Sequence, residues 1–358
     1  MGLGSVSAVD ARTRVLVVDD SAVVRGLISR FLSADPEIEV VSTASNGALA
    51  LTELRRRPAD VVVLDIEMPV MDGLTALGLM LNEFPEVRVI MASTLTLRNA
   101  ELGMKALQLG ASDYVSKPEG GLGGAAEFNR ELVSKVKALG GAPRRRAAPT
   151  PERPAPAWNA SRPSALRPTL LAIGASTGGP PALLRLFESL RGAIDQPILL
   201  TQHMPPTFTA LLAEQLARAS GRPCAEARDH ELVRPGCCYV APGGWHMIVD
   251  REGATPVIRL NQEPPENFCR PAVDPMLRSV ARVYGAGVLA VILTGMGSDG
   301  AKGCEAVAQA GGRFIVQDEA TSVVWGMPGA AAATGRAERI LPMNDIGPWI
   351  RRVMGDAA

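Results

Sequence analysis

Three side chains in this sequence stand where nucleophilic chemistry could be done: Ser176, His203 and Asp299. Gly174-x-Ser176-x-Gly178 follows the apolar run 170–173 and precedes a helical pattern, so it reads as a strand-to-helix turn that pushes a hydroxyl out above a sheet. A glycine-rich turn of this kind equally suits a phosphate held by backbone N–H groups, or a plain tight connection. A serine hydroxyl is a weak nucleophile and needs a base to take its proton; the base in turn needs a carboxylate to fix its tautomer. His203 stands just past the apolar run 198–201, and Asp299 lies in the loop 294–300 just past the run 288–293. All three therefore project from one predicted sheet edge, with Asp318, after the run 314–316, as the second candidate for the acid. His246 falls in a predicted hairpin where packing is the ordinary role, and His230 between Asp229 and Glu231 reads as solvated. Asp274 before Pro275 reads as a helix N-cap. The order Ser, His, Asp differs from the orders of α/β-hydrolases, chymotrypsin and subtilisin, and residues 174–179 lack G-x-G-x-x-G, which argues against a dinucleotide site.

A second constellation lies in the first third of the chain. Asp19 and Asp20 follow one apolar run, Asp65 a second, Ser93 a third and Lys117 a fourth. Carboxylates gathered at one edge repel one another unless a hard cation such as Mg2+ neutralises them, and a lysine and a hydroxyl beside them suit an incoming phosphoryl group. Loop caps and solvated charges explain any one of these residues but not five at one edge.

These positions follow from an alternation of strands and helices. Strands are predicted at 15–18, 40–44, 61–64, 87–91 and 114–115, each followed by a helical pattern. The nearly pure apolar strands point to a doubly wound parallel sheet of flavodoxin type covered on both faces. Ligands bind such sheets beyond the carboxyl ends of the strands. Residues 141–168 hold seven prolines, six arginines and one acid, and read as an extended, solvated linker. From 169 the alternation resumes as a second, Rossmann-like α/β sheet with a β-hairpin insertion between 237 and 260. Three regions result: 13–140, a linker 141–168, and 169–358, with residues 1–12 read as a disordered start.

Lys plus Arg and Asp plus Glu both number 37, and the second unit carries 17 basic and 18 acidic side chains without a compact helix-turn-helix, so a nucleic-acid partner is not expected. The five cysteines all lie in the second unit without C-x-x-C spacing and read as reduced thiols, and none pairs with a histidine at zinc-ligand spacing. No signal-peptide layout opens the chain and no apolar run approaches the ~18 residues of a membrane span. A cytoplasmic protein without membrane insertion is expected.

Asp19-Asp20-Ser21, Asp65-Ile66-Glu67-Met68-Pro69-Val70-Met71-Asp72-Gly73 and Lys117-Pro118 make residues 13–140 resemble the receiver domain of bacterial response regulators. The resemblance implies that Asp65 accepts phosphate from a CheA-type histidine kinase and that Asp19, Asp20 and Asp65 hold Mg2+. It also implies that Lys117 contacts the phosphoryl group while Ser93 and Tyr114 relay the switch. The second unit resembles the catalytic domain of CheB-type chemotaxis protein-glutamate methylesterases. The resemblance lies in Ile173–Pro180, Gln202-His203-Met204, Ala241-Pro242-Gly243-Gly244-x-His246-Met247, Arg270-Pro271-x-x-Asp274 and Thr294-Gly295-Met296-Gly297-x-Asp299-Gly300. It implies a Ser176, His203 and Asp299 triad and an oxyanion hole from backbone N–H groups near Thr177 and Met296. It further implies a substrate-facing loop with His246 and Arg270, and methyl-accepting chemoreceptors as substrates for demethylation and glutamine deamidation. Many members place a histidine where this chain has Cys269, a departure expected to bear on the substrate loop and not on the triad. Occlusion of the Ser176 cleft by the unphosphorylated receiver is the expected mode of control. The alternative is a phosphorylation-gated, non-enzymatic module that binds an anion or a protein at 174–179.

Overall fold

The computed structural model describes residues 12–94, 96–117, 122–141 and 167–355. Most of the expected linker, 142–166, and the start of the chain, 1–11, lie outside the described residues. The chain forms two compact units, one on each side of that linker segment.

The first unit is a five-stranded sheet of β1 (Thr13–Val18), β2 (Ile38–Ala44), β3 (Val61–Asp65), β4 (Arg88–Ser93) and β5 (Asp113–Ser116). The strands are parallel in the order β2-β1-β3-β4-β5, the flavodoxin-like arrangement. Every residue of β3 is buried, as a central strand covered by helices on both faces requires. Four of the helices start on side-chain caps, Ser21, Asn46, Asp72 and Thr96, each accepting from a backbone N–H three residues on.

The second unit contains β6 (Leu170–Ala175), β7 (Ile198–Gln202), β8 (Cys224–Glu226) and β9 (Cys238–Val240). The hairpin β10 (His246–Glu252) and β11 (Thr255–Asn261) follows, then β12 (Val288–Ile292), β13 (Arg313–Gln317) and β14 (Arg339–Leu341). Seven of these strands make one sheet in the order β14-β13-β12-β6-β7-β9-β8, every pair parallel. Without β9 this is the Rossmann order, so β9 is an extra strand slipped between β7 and β8. The hairpin is therefore shorter than the expected insertion: Cys238–Val240 is buried in the main sheet, and only His246–Asn261 forms the separate antiparallel pair. Three residues are too few for a periodic signal, which also hid β8.

The helix Val273–Tyr284 packs Met276, Leu277 and Val280 against Ala172, Leu199 and Ala290 in the core of this unit. It begins earlier than the expected 275–283, so Ala272 is the N-cap and Asp274 lies in the first turn. Buried there, Asp274 accepts from the Gly303 N–H at 2.7 Å and ties this helix to the next, Ala301–Gln309. Asp318 closes its own turn by accepting from Thr321 N–H at 3.0 Å, and the carboxylate bonded to His203 is that of Asp299.

Candidate active site and phosphoacceptor site

The strand order reverses at β6: the chain leaves it toward β7 on one side and returns to β12 on the other. The loops after these strands diverge and leave a crevice at the carboxyl edge of the sheet, where ligands of such folds bind. Ser176 follows β6 and its N–H donates to Thr294 O at 3.0 Å, which laces the serine loop to the loop after β12. Gly178 turns the chain at φ 75°, a left-handed conformation open to glycine, and the helix Gly179–Ser189 starts there without a side-chain cap. Gly295 is glycine for another reason, since a Cβ there would lie 2.8 Å from Ser176 Cβ. His203 N–H donates to Ala175 O at 3.2 Å, and the buried Gln202 amide donates to Ser176 O at 3.0 Å. Ser176 and His203 are thus held on neighbouring, cross-linked backbone.

His203 Nε2 lies 2.8 Å from Asp299 Oδ2. A carboxylate only accepts, so Nε2 carries the proton and Nδ1 is the nitrogen left for chemistry. Asp299 is itself saturated: Val273 N–H donates to Oδ2 at 2.6 Å, while Asp274 N–H, Gly300 N–H and the Asn267 amide each donate to Oδ1 at 3.0 Å. Burial opposes its charge, but the His203 bond and the backbone donors outweigh burial and hold the carboxyl below its usual range. At Nδ1 stands Cys269 Sγ, 3.3 Å away. Burial disfavours charge on the imidazole, yet Cys269 and Asp299 together push its pKa up to about 10. Both ring nitrogens are engaged, and Nδ1 meets the cysteine rather than the serine.

At the carboxyl edge of the first sheet, Asp19 and Asp65 are buried and Asp20 is exposed, with oxygens of all three within 4.8 Å of one another. Lys117 Nζ lies 2.7 Å from both Asp19 Oδ2 and Asp65 Oδ1. Burial, with the Asp19 charge adding to it, raises the Asp65 pKa, and Lys117 works against the rise. Ser93, Thr94, Asn99 and Lys117 line the cleft in front of Asp65. Tyr114 is buried and its hydroxyl pairs with Ser116 Oγ at 3.0 Å, one strand away from Ser93. Three oxygen-bearing anions around one point fit a hard divalent cation such as Mg2+.

Residues 15–121 match the response regulator receiver domain model and residues 171–350 match the CheB methylesterase model. The chain is 53% identical, over 96% of its length and 93% of the relative's, to a protein-glutamate methylesterase/protein-glutamine glutaminase of Azospirillum brasilense. One of the same description from Paramagnetospirillum magneticum is 50% identical over 99% of both chains. The chain belongs to the CheB methylesterase family. The crystal structure of the Thermotoga maritima CheB methylesterase catalytic domain covers 52% of this chain and 99% of its own, at 38% identity and a TM-score of 0.51.

Within this CheB catalytic unit, three further residues touch Ser176, His203 or Asp299. The Gln202 amide joins the serine and histidine loops. Asn267 spans Asp274 and Asp299, at 3.2 and 3.0 Å. Cys269, expected to bear on the substrate loop alone, touches His203 itself. The Asn267 and Cys269 contacts are not legible in the sequence, since 66 residues separate Cys269 from His203 and only the packing of the 262–272 loop onto the sheet edge brings them together. The two residues expected at the substrate-facing loop are bonded within the protein. His246 is buried, accepts from Ala272 N–H at 3.2 Å through Nδ1 and directs Nε2 at Pro264 O, also 3.2 Å, so it fastens this loop from beneath. The Arg270 guanidinium donates to the carbonyls of Gln262 and Glu263 and closes the loop on itself.

Proposed function

We propose that this chain is a protein-glutamate methylesterase and protein-glutamine glutaminase acting on chemoreceptors in the cytoplasm, with Ser176 as nucleophile, His203 as base and Asp299 as orienting acid. The observation that carries the assignment is the His203–Asp299 bond of 2.8 Å, made by a carboxylate fixed with three backbone N–H donors beside the serine loop. Ser176 Oγ attacks the γ-carbonyl of a glutamate methyl ester while its proton passes to Nδ1 of His203. Asp299 steadies the imidazolium, which then returns the proton to the departing methanol. Cys269 must first yield Nδ1 to the serine. The oxyanion is assigned to the N–H groups of Thr177 and Met296; Gly295 presses the Met296 loop against Ser176, and Thr294 Oγ1 fixes the Thr177 peptide through its carbonyl at 2.9 Å. Water hydrolyses the acyl-enzyme, and a glutamine substrate follows the same course with ammonia leaving.

The receiver governs this activity. Asp65 is the phosphoacceptor and a CheA-type kinase the donor; Asp19, Asp20 and Asp65 would hold Mg2+, which neutralises the anions that meet there. Lys117 contacts the phosphoryl oxygens in this reading, and Ser93 and Tyr114 relay the change. Two measurements test the hydrolase reading against a binding module. Ser176→Ala must abolish methanol release from methylated receptor, and an organophosphonate must label Ser176 in the wild type but not in His203→Ala. Methanol release undiminished by Ser176→Ala rejects the assignment.

A further inference from the structure

Sγ of Cys269, Nδ1 of His203 and the carboxylate of Asp299 form a continuous line of nucleophile, base and orienting acid, with links of 3.3 and 2.8 Å. We propose that Cys269 is a second nucleophile of this site, sharing His203 and Asp299 with Ser176, and that its covalent modification by peroxide or another soft electrophile shuts off the hydrolase.

The thiol is held in place by its own turn. Glu266 and Cys269 pair across a tight turn, with N–H···O distances of 3.2 and 2.9 Å. Asn267 and Phe268 occupy its two central positions at φ 52° and 63°, both in the left-handed region. Phenylalanine adopts that conformation at a cost, so the surrounding contacts must impose it. Asn267 supplies one such contact by reaching Asp274 and Asp299, which pins the turn over the same carboxylate that holds His203. Asn267 and Phe268 are exposed and Cys269 is half-buried, so a small reagent can reach the sulfur.

The chemistry is simple to balance. With iodoacetamide, sulfur displaces iodide at carbon and its proton remains on Nδ1. With hydrogen peroxide, sulfur attacks one oxygen, the O–O bond breaks and the departing hydroxide takes the proton from Nδ1 and leaves as water. The product is a sulfenic acid, sulfur oxidised and peroxide reduced. A dithiol restores the cysteine: one thiol displaces water from the sulfenic acid, and the second closes the reagent's disulfide and frees Cys269. Any group added to Sγ occupies the approach to Nδ1, the nitrogen through which Ser176 is activated.

The same chain provides its own controls, because Cys224 and Cys237 are also half-buried, and among the described residues neither is hydrogen-bonded to an imidazole. The experiment is timed alkylation of the full-length protein with iodoacetamide near neutral pH, each cysteine quantified by mass spectrometry. Cys269 should react roughly a hundredfold or more faster than Cys237, the low end of what a positioned base contributes. Asp299→Asn should slow Cys269 and leave Cys237 unchanged. Dimedone should trap Cys269 after peroxide treatment, and a dithiol should reverse the loss of methanol release. Whatever activity Cys269→Ala retains should be indifferent to both reagents. Labelling of Cys269 no faster than Cys237, or unaffected by Asp299→Asn, overturns the shared triad. Full labelling of Cys269 with methanol release intact overturns the shut-off. The labelling arms do not depend on the esterase reading; the activity arms rest on it, so failure of the one is distinguishable from failure of the other.

Discussion

His203 is pulled by two partners at once, and its titration reports both. A general base works in its neutral form, so activity is lost as pH falls through its pKa and present above it. Cys269 and Asp299 raise that pKa from the ordinary 6.5 toward about 10, against the opposing effect of burial. The acid limb of kcat/KM should therefore lie to the alkaline side of 6.5. Cys269→Ala removes one of the two raising groups and should move the limb to lower pH, whereas Asp299→Asn should lose activity at every pH because the ring no longer has a fixed tautomer. By analogy with other triads that loss is on the order of ten-thousandfold in kcat. An acid limb that stays put in Cys269→Ala would show that the thiol does not act on the base.

The elements that carry these residues differ in how far the sequence announced them. The runs 61–64 and 170–175 are apolar throughout because both faces of the sheet are covered, and they are legible without any structure. So were the edge residues Asp65, Ser176, His203 and Asp299, since each directly follows such a run or sits in its loop. What could not be read was the irregular loop 262–272, whose fastening depends on side chains reaching backbone groups far away in sequence: His246 to Pro264 and Ala272, Asn267 to Asp274 and Asp299. The same hydrogen bonds define a prediction at this scale. His246→Ala strands the buried Ala272 N–H and the Pro264 carbonyl and leaves a cavity, which should cost about 2–4 kcal/mol by denaturant unfolding. Gly295→Ala should instead spare the sheet and disable the site, because its Cβ would stand 2.8 Å from Ser176 Cβ and 2.5 Å from Met327 Sδ. Organophosphonate labelling of Ser176 separates the two, falling much further in Gly295→Ala than the change in stability accounts for.

Each unit has its own sheet and core, so the coupling between phosphate chemistry in one and ester chemistry in the other is a property of the whole chain. At the receiver, Lys117 compensates Asp19 and Asp65 from 2.7 Å, and Lys117→Ala leaves those buried carboxylates facing one another. That variant should melt lower than the wild type, yet gain more from added Mg2+, since the cation then replaces the missing charge; thermal melts with and without Mg2+ decide it. The consequence for the hydrolase follows from population arithmetic. A restraint of a few kcal/mol suffices to keep most molecules inactive, and each 1.4 kcal/mol that phosphorylation removes is worth about tenfold in the active fraction. A small-molecule phosphodonor should therefore raise methanol release by the wild type severalfold and leave Asp65→Asn unchanged. Deleting residues 1–140 should give activity at or above the phosphorylated level, because a restraint that acts through the receiver disappears with it. A truncated chain no more active than the unphosphorylated whole would mean that the receiver activates the second unit rather than restrains it.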